Sequence, residues 1–195
     1  MDIDSSPIVQ AAQRTARRLL RTDRTRVAHV EGVALAAAHV SDGLPIGTAQ
    51  SLVAAAWLHD IGHAPNLMRT GFHPLDGALH LAEQGWPDDI VRLVAHHSHA
   101  AVLAAHYGVA DHLDLLAPLP GRAADILTFA DLVAGTDGRG TTIQRRLADM
   151  RTRHEAGSPV PAAVREVRYS MLEQTALRVL RSSSLSRVDV RMAPA

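Results

Sequence analysis

The chain contains no cysteine and no lysine, and only two each of Trp, Tyr and Phe among its 195 residues. Without Cys, disulfides, thiolate catalysis and iron–sulfur clusters are excluded, and any metal site must use nitrogen and oxygen ligands. Without Lys, Schiff-base chemistry and the phosphate-loop lysine drop out, since all twenty basic residues are Arg. Charge of neither sign is in excess: twenty acidic residues balance the twenty basic ones. No net field therefore draws the chain to nucleic acid or to an anionic membrane, and neither is an expected partner. No apolar run approaches ~18 residues, so a membrane span is not expected. The start, Met1-Asp2-Ile3-Asp4-Ser5-Ser6-Pro7, is acidic where a signal peptide is basic and then apolar, and a cytoplasmic protein is expected.

What the chain has in quantity is Ala, Val and Leu, which favours helices packed through small aliphatic side chains, and the expected class is all-α. The length suits one domain with short appendages. Helical spacing predicts a first, peripheral helix over 8–21. A second, over 24–40, is capped by Thr22-Asp23, and a central one runs over 48–60. Further helices are expected from His73-Pro74 to 84 and from Pro87 into His96-His97, with a short piece over 100–107. The strongly apolar stretch 122–134 carries Asp131 near its end. Two Arg-rich amphipathic helices, over 141–152 and 161–180, precede a tail from 182 expected to lack fixed structure.

Twelve histidines stand out. The run Ala54-Ala55-Ala56-Trp57-Leu58 ends in His59-Asp60, with Gly62 as the expected helix stop. His29, His73, His96 with His97, and Asp131 are likewise polar groups stranded on apolar segments. Burying such groups uncompensated costs about 2–7 kcal/mol each, and a divalent cation at the negative end of a helix would satisfy them. His29, His59, Asp60 and Asp131 would complete one site. The second oxygen of Asp60 would bridge to another cation held by His73, His96 and His97. Such a pair would generate hydroxide near neutral pH and clamp a phosphoryl oxygen.

The order H…HD…H…HH…D, with the local runs Leu58-His59-Asp60-Ile61-Gly62 and Phe72-His73-Pro74-Leu75-Asp76-Gly77-Ala78, resembles the HD-domain superfamily of metal-dependent phosphohydrolases. It is most similar to the HDIG group and to small bacterial HD proteins. The resemblance covers about residues 24–135. It implies a helical bundle of five or more core helices, with 1–23 a peripheral segment and 136–181 an appendage packed on the domain. It also implies His29, His59, Asp60 and Asp131 as ligands of one metal, with His73, His96 and His97 for a second. The cofactor expected is one or two divalent ions, whether Mn, Fe, Ni, Co, Mg or Zn. Where cyclic-dinucleotide phosphodiesterases of this superfamily carry a Lys three residues after the motif Asp, this chain has His63. Where they carry a GYP signature, it has Ser98-His99-Ala100-Ala101. Thr25 replaces the Glu that holds a third metal in some members.

Asp60 and His63 are the expected catalytic residues, His63 protonating the leaving group. Arg26, on the face of His29, and Arg69, in the loop beyond the site, are the expected phosphate contacts. His39, His80, His99, His106, His112 and His154 read as surface or supporting residues. The expected reaction is hydrolysis of a phosphomonoester or phosphodiester, a small-molecule phosphate ester or nucleotide, with pocket walls from 62–72 and 98–122. Two other readings stay open: an HD-type di-iron oxygenase acting on a small phosphonate or alcohol, and a metal- or nucleotide-binding sensor whose terminal helices form a homodimer.

Overall fold

A computed structural model describes residues 3, 5–154 and 159–183. Among them the chain forms ten α-helices and no strand: α1 Pro7–Leu19, α2 Arg24–Val40, α3 Ile46–Leu58, α4 His73–Glu83, α5 Asp88–His96, α6 Ala101–Ala104, α7 Ala110–Asp114, α8 Arg122–Val133, α9 Ile143–His154 and α10 Ala162–Ser182. The all-α bundle is as the composition predicts. The tail expected to lack fixed structure falls, from residue 184, outside the described residues.

α3 is the axis of the bundle. Leu52 through Leu58 are buried all round, because the consecutive Ala54, Ala55 and Ala56 let neighbours close in on every side. α1, α2, α5 and α8 pack against it. α1 starts at Pro7 and lays Val9, Ala12, Ala16 and Leu19 along α3. α2 is capped by the Asp23 side chain, which accepts from the Arg26 amide at 2.9 Å. α8 buries Ile126, Leu127, Phe129 and Ala130 between α2, α3 and α10.

α3 ends earlier than predicted, at Leu58, so His59 and Asp60 lie beyond the helix and lead into a 3₁₀ turn over Ile61–His63. Gly62 is not the stop signal expected of it. Its role is close approach: a Cβ there would lie 2.0 Å from the His73 carbonyl oxygen and 2.8 Å from the Gly77 amide. The turn bearing His59, Asp60 and His63 thus sits directly on the first turn of α4, which bears His73. A second close approach joins α2 to the turn after α8, where a Cβ on Gly32 would lie 2.4 Å from the Gly138 carbonyl.

Gly62→Ala is therefore expected to force the two segments apart and to destabilise the fold by about 1–3 kcal/mol, the usual cost of overpacking a tight contact. Chemical denaturation of the variant beside the native chain measures it; an unchanged midpoint would mean the contact is slack.

Candidate metal centre

Three imidazoles are oriented by the same device. His59 follows the last turn of α3 and directs Nδ1 at the Ala56 carbonyl, 2.8 Å away. His97 follows the last turn of α5 and directs Nδ1 at the Val94 carbonyl, 2.7 Å away. His29, inside α2, directs Nδ1 at the Gly135 carbonyl, 3.1 Å away. A carbonyl only accepts, so in each ring Nδ1 carries the proton. When that proton is the ring's only one, Nε2 is a bare lone pair. All three residues are at least nine-tenths buried.

Those lone pairs face other acceptors. His29 Nε2 lies 3.1 Å from Asp131 Oδ1. Asp60 Oδ1 lies 3.6 Å from His59 Nε2, 3.5 Å from His73 Nε2 and 3.9 Å from His63 Nε2. His73 and His97 bring their Nε2 atoms within 3.3 Å of each other. His59 Nε2 is buried and has no hydrogen-bond partner, at a cost of about 1–3 kcal/mol. Acceptors gathered in this way need positive charge between them. The donor set, imidazole nitrogen with carboxylate oxygen, is that of a borderline divalent transition metal, and the outward N–H bonds are what metal-bound histidines make. The residues present therefore fit a cation.

The atoms fall into three linked groups, each compact enough for one ion: His29, His59 and Asp131; His59, Asp60 and His97; Asp60, His63 and His73. His63, expected as a proton donor, stands among these candidate ligands. Its 3₁₀ turn, with three residues per turn, stacks position 63 over position 60, and its ring lies on that of His73 with centroids 4.0 Å apart.

The structure does not bring His96 into the cluster. His96 is the last residue of α5 and its Nε2 contacts the Leu116 carbonyl, whereas the chain leaves helical geometry at His97 and turns that side chain inward. The step out of the helix thus sends the two rings apart, His96 to the Leu116 carbonyl and His97 to the cluster. Arg69 is also elsewhere: it pairs with Glu83 at the surface, one bond being 2.8 Å. Arg26 does line the cavity, but its Nη1 is committed to Asp60 Oδ2 at 2.5 Å.

Asp131 is held on both oxygens. Oδ1 meets His29 and the Arg146 guanidinium at 3.3 Å, and Oδ2 accepts from Ser98 Oγ at 2.5 Å. Ser98 and His99 both have positive φ, 51° and 56°, a left-handed conformation costing of order 1–3 kcal/mol for a residue with a side chain. The bonds from Ser98 to Asp131, from Arg168 Nε to the Ser98 carbonyl at 2.9 Å, and between His99 and Thr175 at 2.9 Å hold it there.

Burial raises the Asp60 carboxyl, but the surrounding His59, His73, His29 and Arg26 outweigh it and hold Asp60 well below the usual range. Burial acts on Asp131 in the same sense, and the His29 bond, His59 and Arg146 overcome it. Burial pulls His29 down, yet Asp131 and Asp60 raise it above its ordinary value. A proton on His29 Nε2 stands where a cation would, so the two compete. Burial lowers His63, and it lowers His73 well below the usual range.

A cavity of about 300 Å³ opens above the cluster. Gly71 and Phe72 from the 62–72 loop, and Ala100, Leu103 and Tyr107 from the 98–122 region, line it, and the Phe72 and Tyr107 rings meet with centroids 5.0 Å apart. A further wall lies outside the segments the sequence predicts. It comes from α9 and α10 and carries Arg146, Arg165, Arg168 and Tyr169. The signal for it lies in the helical stripes. Arg146 falls between Ile143 and Met150 on the buried face of α9, and Arg165 and Arg168 continue the α10 stripe of Leu172, Ala176 and Val179.

Two outcomes follow. His63→Ala should lower the metal bound per chain, while His96→Ala should leave it unchanged; elemental analysis of the purified variants decides. The metal-free protein should lose stability on acidification. Burial and the neighbouring His59 pull His97 from 6.5 down to about 4, against the pull of Asp60 and Asp131. Between those values the unfolded chain binds a proton that the folded chain refuses, so this residue's contribution falls as pH drops through the window, by up to about 3 kcal/mol. His29 acts oppositely, its contribution being present at low pH and lost as pH rises through its elevated pKa. Denaturant titrations from pH 7 to pH 4 should show a slope that His97→Gln flattens; equal slopes would contradict the assignment.

The HD domain family model matches residues 26–148, which extends past the predicted boundary at 135 into α9. No curated protein and no solved structure matches the chain. With an all-α bundle and a buried His/Asp cluster suited to divalent metal, and with most of its length inside that match, the chain belongs to the HD domain family, a superfamily of metal-dependent hydrolases.

Proposed function

We propose that the protein is a metal-dependent phosphohydrolase acting on a phosphomonoester or phosphodiester of a nucleotide or similar small molecule. The observation that carries this reading is the set of buried imidazole lone pairs turned toward Asp60 and Asp131 at the floor of a cavity. His29, His59 and Asp131 would hold one cation, and Asp60, His63 and His73, with His97 beside them, a second. A divalent cation so held supplies Lewis-acid polarisation of a phosphoryl oxygen and makes water acidic enough to attack near neutral pH.

The chain's own residues do the rest. Asp60 sits between the two groups, and Arg26 fixes its carboxylate through Oδ2. The Arg26 guanidinium also faces the cavity, where it offsets charge developing on a phosphoryl group. Phe72, Leu103 and Tyr107 keep one side of the cavity apolar and limit access of bulk water. The cavity volume is at the small end of the range for ligand pockets, about 300–1,000 Å³, which favours a compact substrate over an extended dinucleotide.

Purified protein loaded with manganese, nickel or iron is expected to release phosphate or cleave a diester from a nucleotide and phosphodiester panel. Asp60→Ala should lose at least about a hundredfold in rate, the upper end of what loss of an outer-sphere partner alone costs. If native chain and variant are equally inert with every metal, the reading fails. Oxygen uptake by the iron-loaded protein without phosphate release would instead favour oxidation.

A further inference from the structure

The wall contributed by α9 and α10 supplies none of the candidate metal ligands, yet it concentrates positive charge. Four guanidiniums, those of Arg26, Arg146, Arg165 and Arg168, line the cavity against two carboxylates, Asp60 and Asp131. Asp60 is already met by Arg26, and Asp131 by His29 and Ser98. Arg146 is nine-tenths buried and reaches Asp131 only through Nη2; its Nε and Nη1 are buried without a hydrogen-bond partner. Tyr169 is 2% exposed, and its hydroxyl is likewise buried without a partner. Arg168 donates Nε to the Ser98 carbonyl and Arg165 donates Nη1 to the Val160 carbonyl at 2.5 Å, so both are braced by neutral groups.

Leaving guanidinium nitrogens and a phenol unpaired inside a protein costs free energy. A bound anion removes that cost, and the planar, multiply donating guanidinium suits phosphate or carboxylate oxygens. One phosphodiester charge at the cluster would not match this field, whereas a substrate with a second anionic group would.

We propose that Arg146, Arg165 and Arg168, with the Tyr169 hydroxyl, bind a second anionic group of the substrate, which is therefore a compact molecule bearing two such groups, one of them the phosphate beside the His/Asp cluster. This rests on the phosphohydrolase reading and narrows its substrate class to small polyanions. The subsite is built by side chains in the apolar stripes of helices otherwise occupied with packing.

The test uses three ligands on one three-carbon frame: glycerol 1-phosphate, glycerol 1,3-bisphosphate and 3-phosphoglycerate. Each is titrated calorimetrically into manganese-loaded protein at constant free manganese. The bisphosphate is expected to bind at least about tenfold more tightly than the monophosphate, the gain of one charge-assisted contact. Arg165→Gln, which touches no candidate metal ligand, should abolish most of that advantage while keeping the metal content; Arg146→Gln, whose native Nη2 also meets Asp131 and His29, should reduce the advantage as well. If Arg146→Gln does not fold, Arg165→Gln alone carries the comparison. A 3-phosphoglycerate affinity equal to that of the bisphosphate would assign the subsite to any small anion; a monophosphate-like affinity would assign it to phosphate. Equal binding of mono- and bisphosphate by the native chain, or an advantage that survives both substitutions, overturns the subsite and leaves the hydrolase reading standing. Absence of binding by all three ligands with metal in place overturns both.

Discussion

Buried acceptors pointing at one another are repulsive unless something positive lies between them, and the centre of this protein is made of them. His29, His59 and His97 have their Nδ1 protons fixed on backbone carbonyls, so when neutral each has only a lone pair to present to Asp60, Asp131 or a neighbouring imidazole. Two of those carbonyls, of Ala56 and Val94, belong to the last turns of α3 and α5, where helix geometry leaves carbonyls without an intrahelical donor. A histidine placed just past such an end satisfies the orphan three residues back and is thereby aimed. The same helix ends contribute their negative dipole to the place where a cation would sit. Satisfying the helix terminus and preparing the site are one event.

Aiming the rings is insufficient unless the segments that carry them meet, and here the backbone takes on constraints that packing alone would avoid. The turn after α3 lies on α4 at a distance only Gly62 permits, which brings His63 and His73 onto Asp60. α2 approaches the turn after α8 at Gly32 and Gly138, which brings His29 within reach of the Gly135 carbonyl. Between α5 and α6 the chain takes two successive left-handed residues, neither a glycine, so that Ser98 can hold the far oxygen of Asp131. Conformational cost of this kind persists where surrounding bonds over-determine it, and the bonds from Arg168 and Thr175 do so from α10.

Much of this is legible in the sequence because it follows from period and chemistry. Helices with apolar stripes at 24–40, 122–134 and 161–180, and an all-round apolar segment before His59, translate directly into a bundle around α3. His29, His59, Asp60, His73, His97 and Asp131 are conspicuous as polar groups on apolar segments, and the structure brings all six to one place. What the pattern does not carry is how a helix ends. Whether His96 or His97 faces inward depends on the single backbone step at which α5 stops, and no periodicity marks that step. His63 is ambiguous for the same reason: continued α-helix, 3₁₀ turn and open loop would send its ring in three directions. Arg26 and Arg69 illustrate a different gap, because a guanidinium takes whichever carboxylate tertiary packing supplies.

The HD family match runs past the expected boundary at 135 into α9, and the packing of α9 and α10 gives that a bearing on function. The expected boundary at 135 is where the resemblance ends, just past Asp131, the last of the candidate ligands. A metal cluster at the floor of a cavity still needs walls, and a wall can come from any helix that packs beside it. α10 lies against α8 and α9 joins them, so their buried stripes open onto the site as well as onto the core. An arginine in such a stripe is costly in an ordinary core, where it finds neither water nor counter-charge. Arg146, Arg165 and Arg168 occupy stripe positions on two consecutive helices, and all three emerge at the same cavity. Charged residues repeated at core-facing spacing are thus a readable sign that the face in question borders a polar site, and in this chain that sign extends the functional unit well beyond its last ligand.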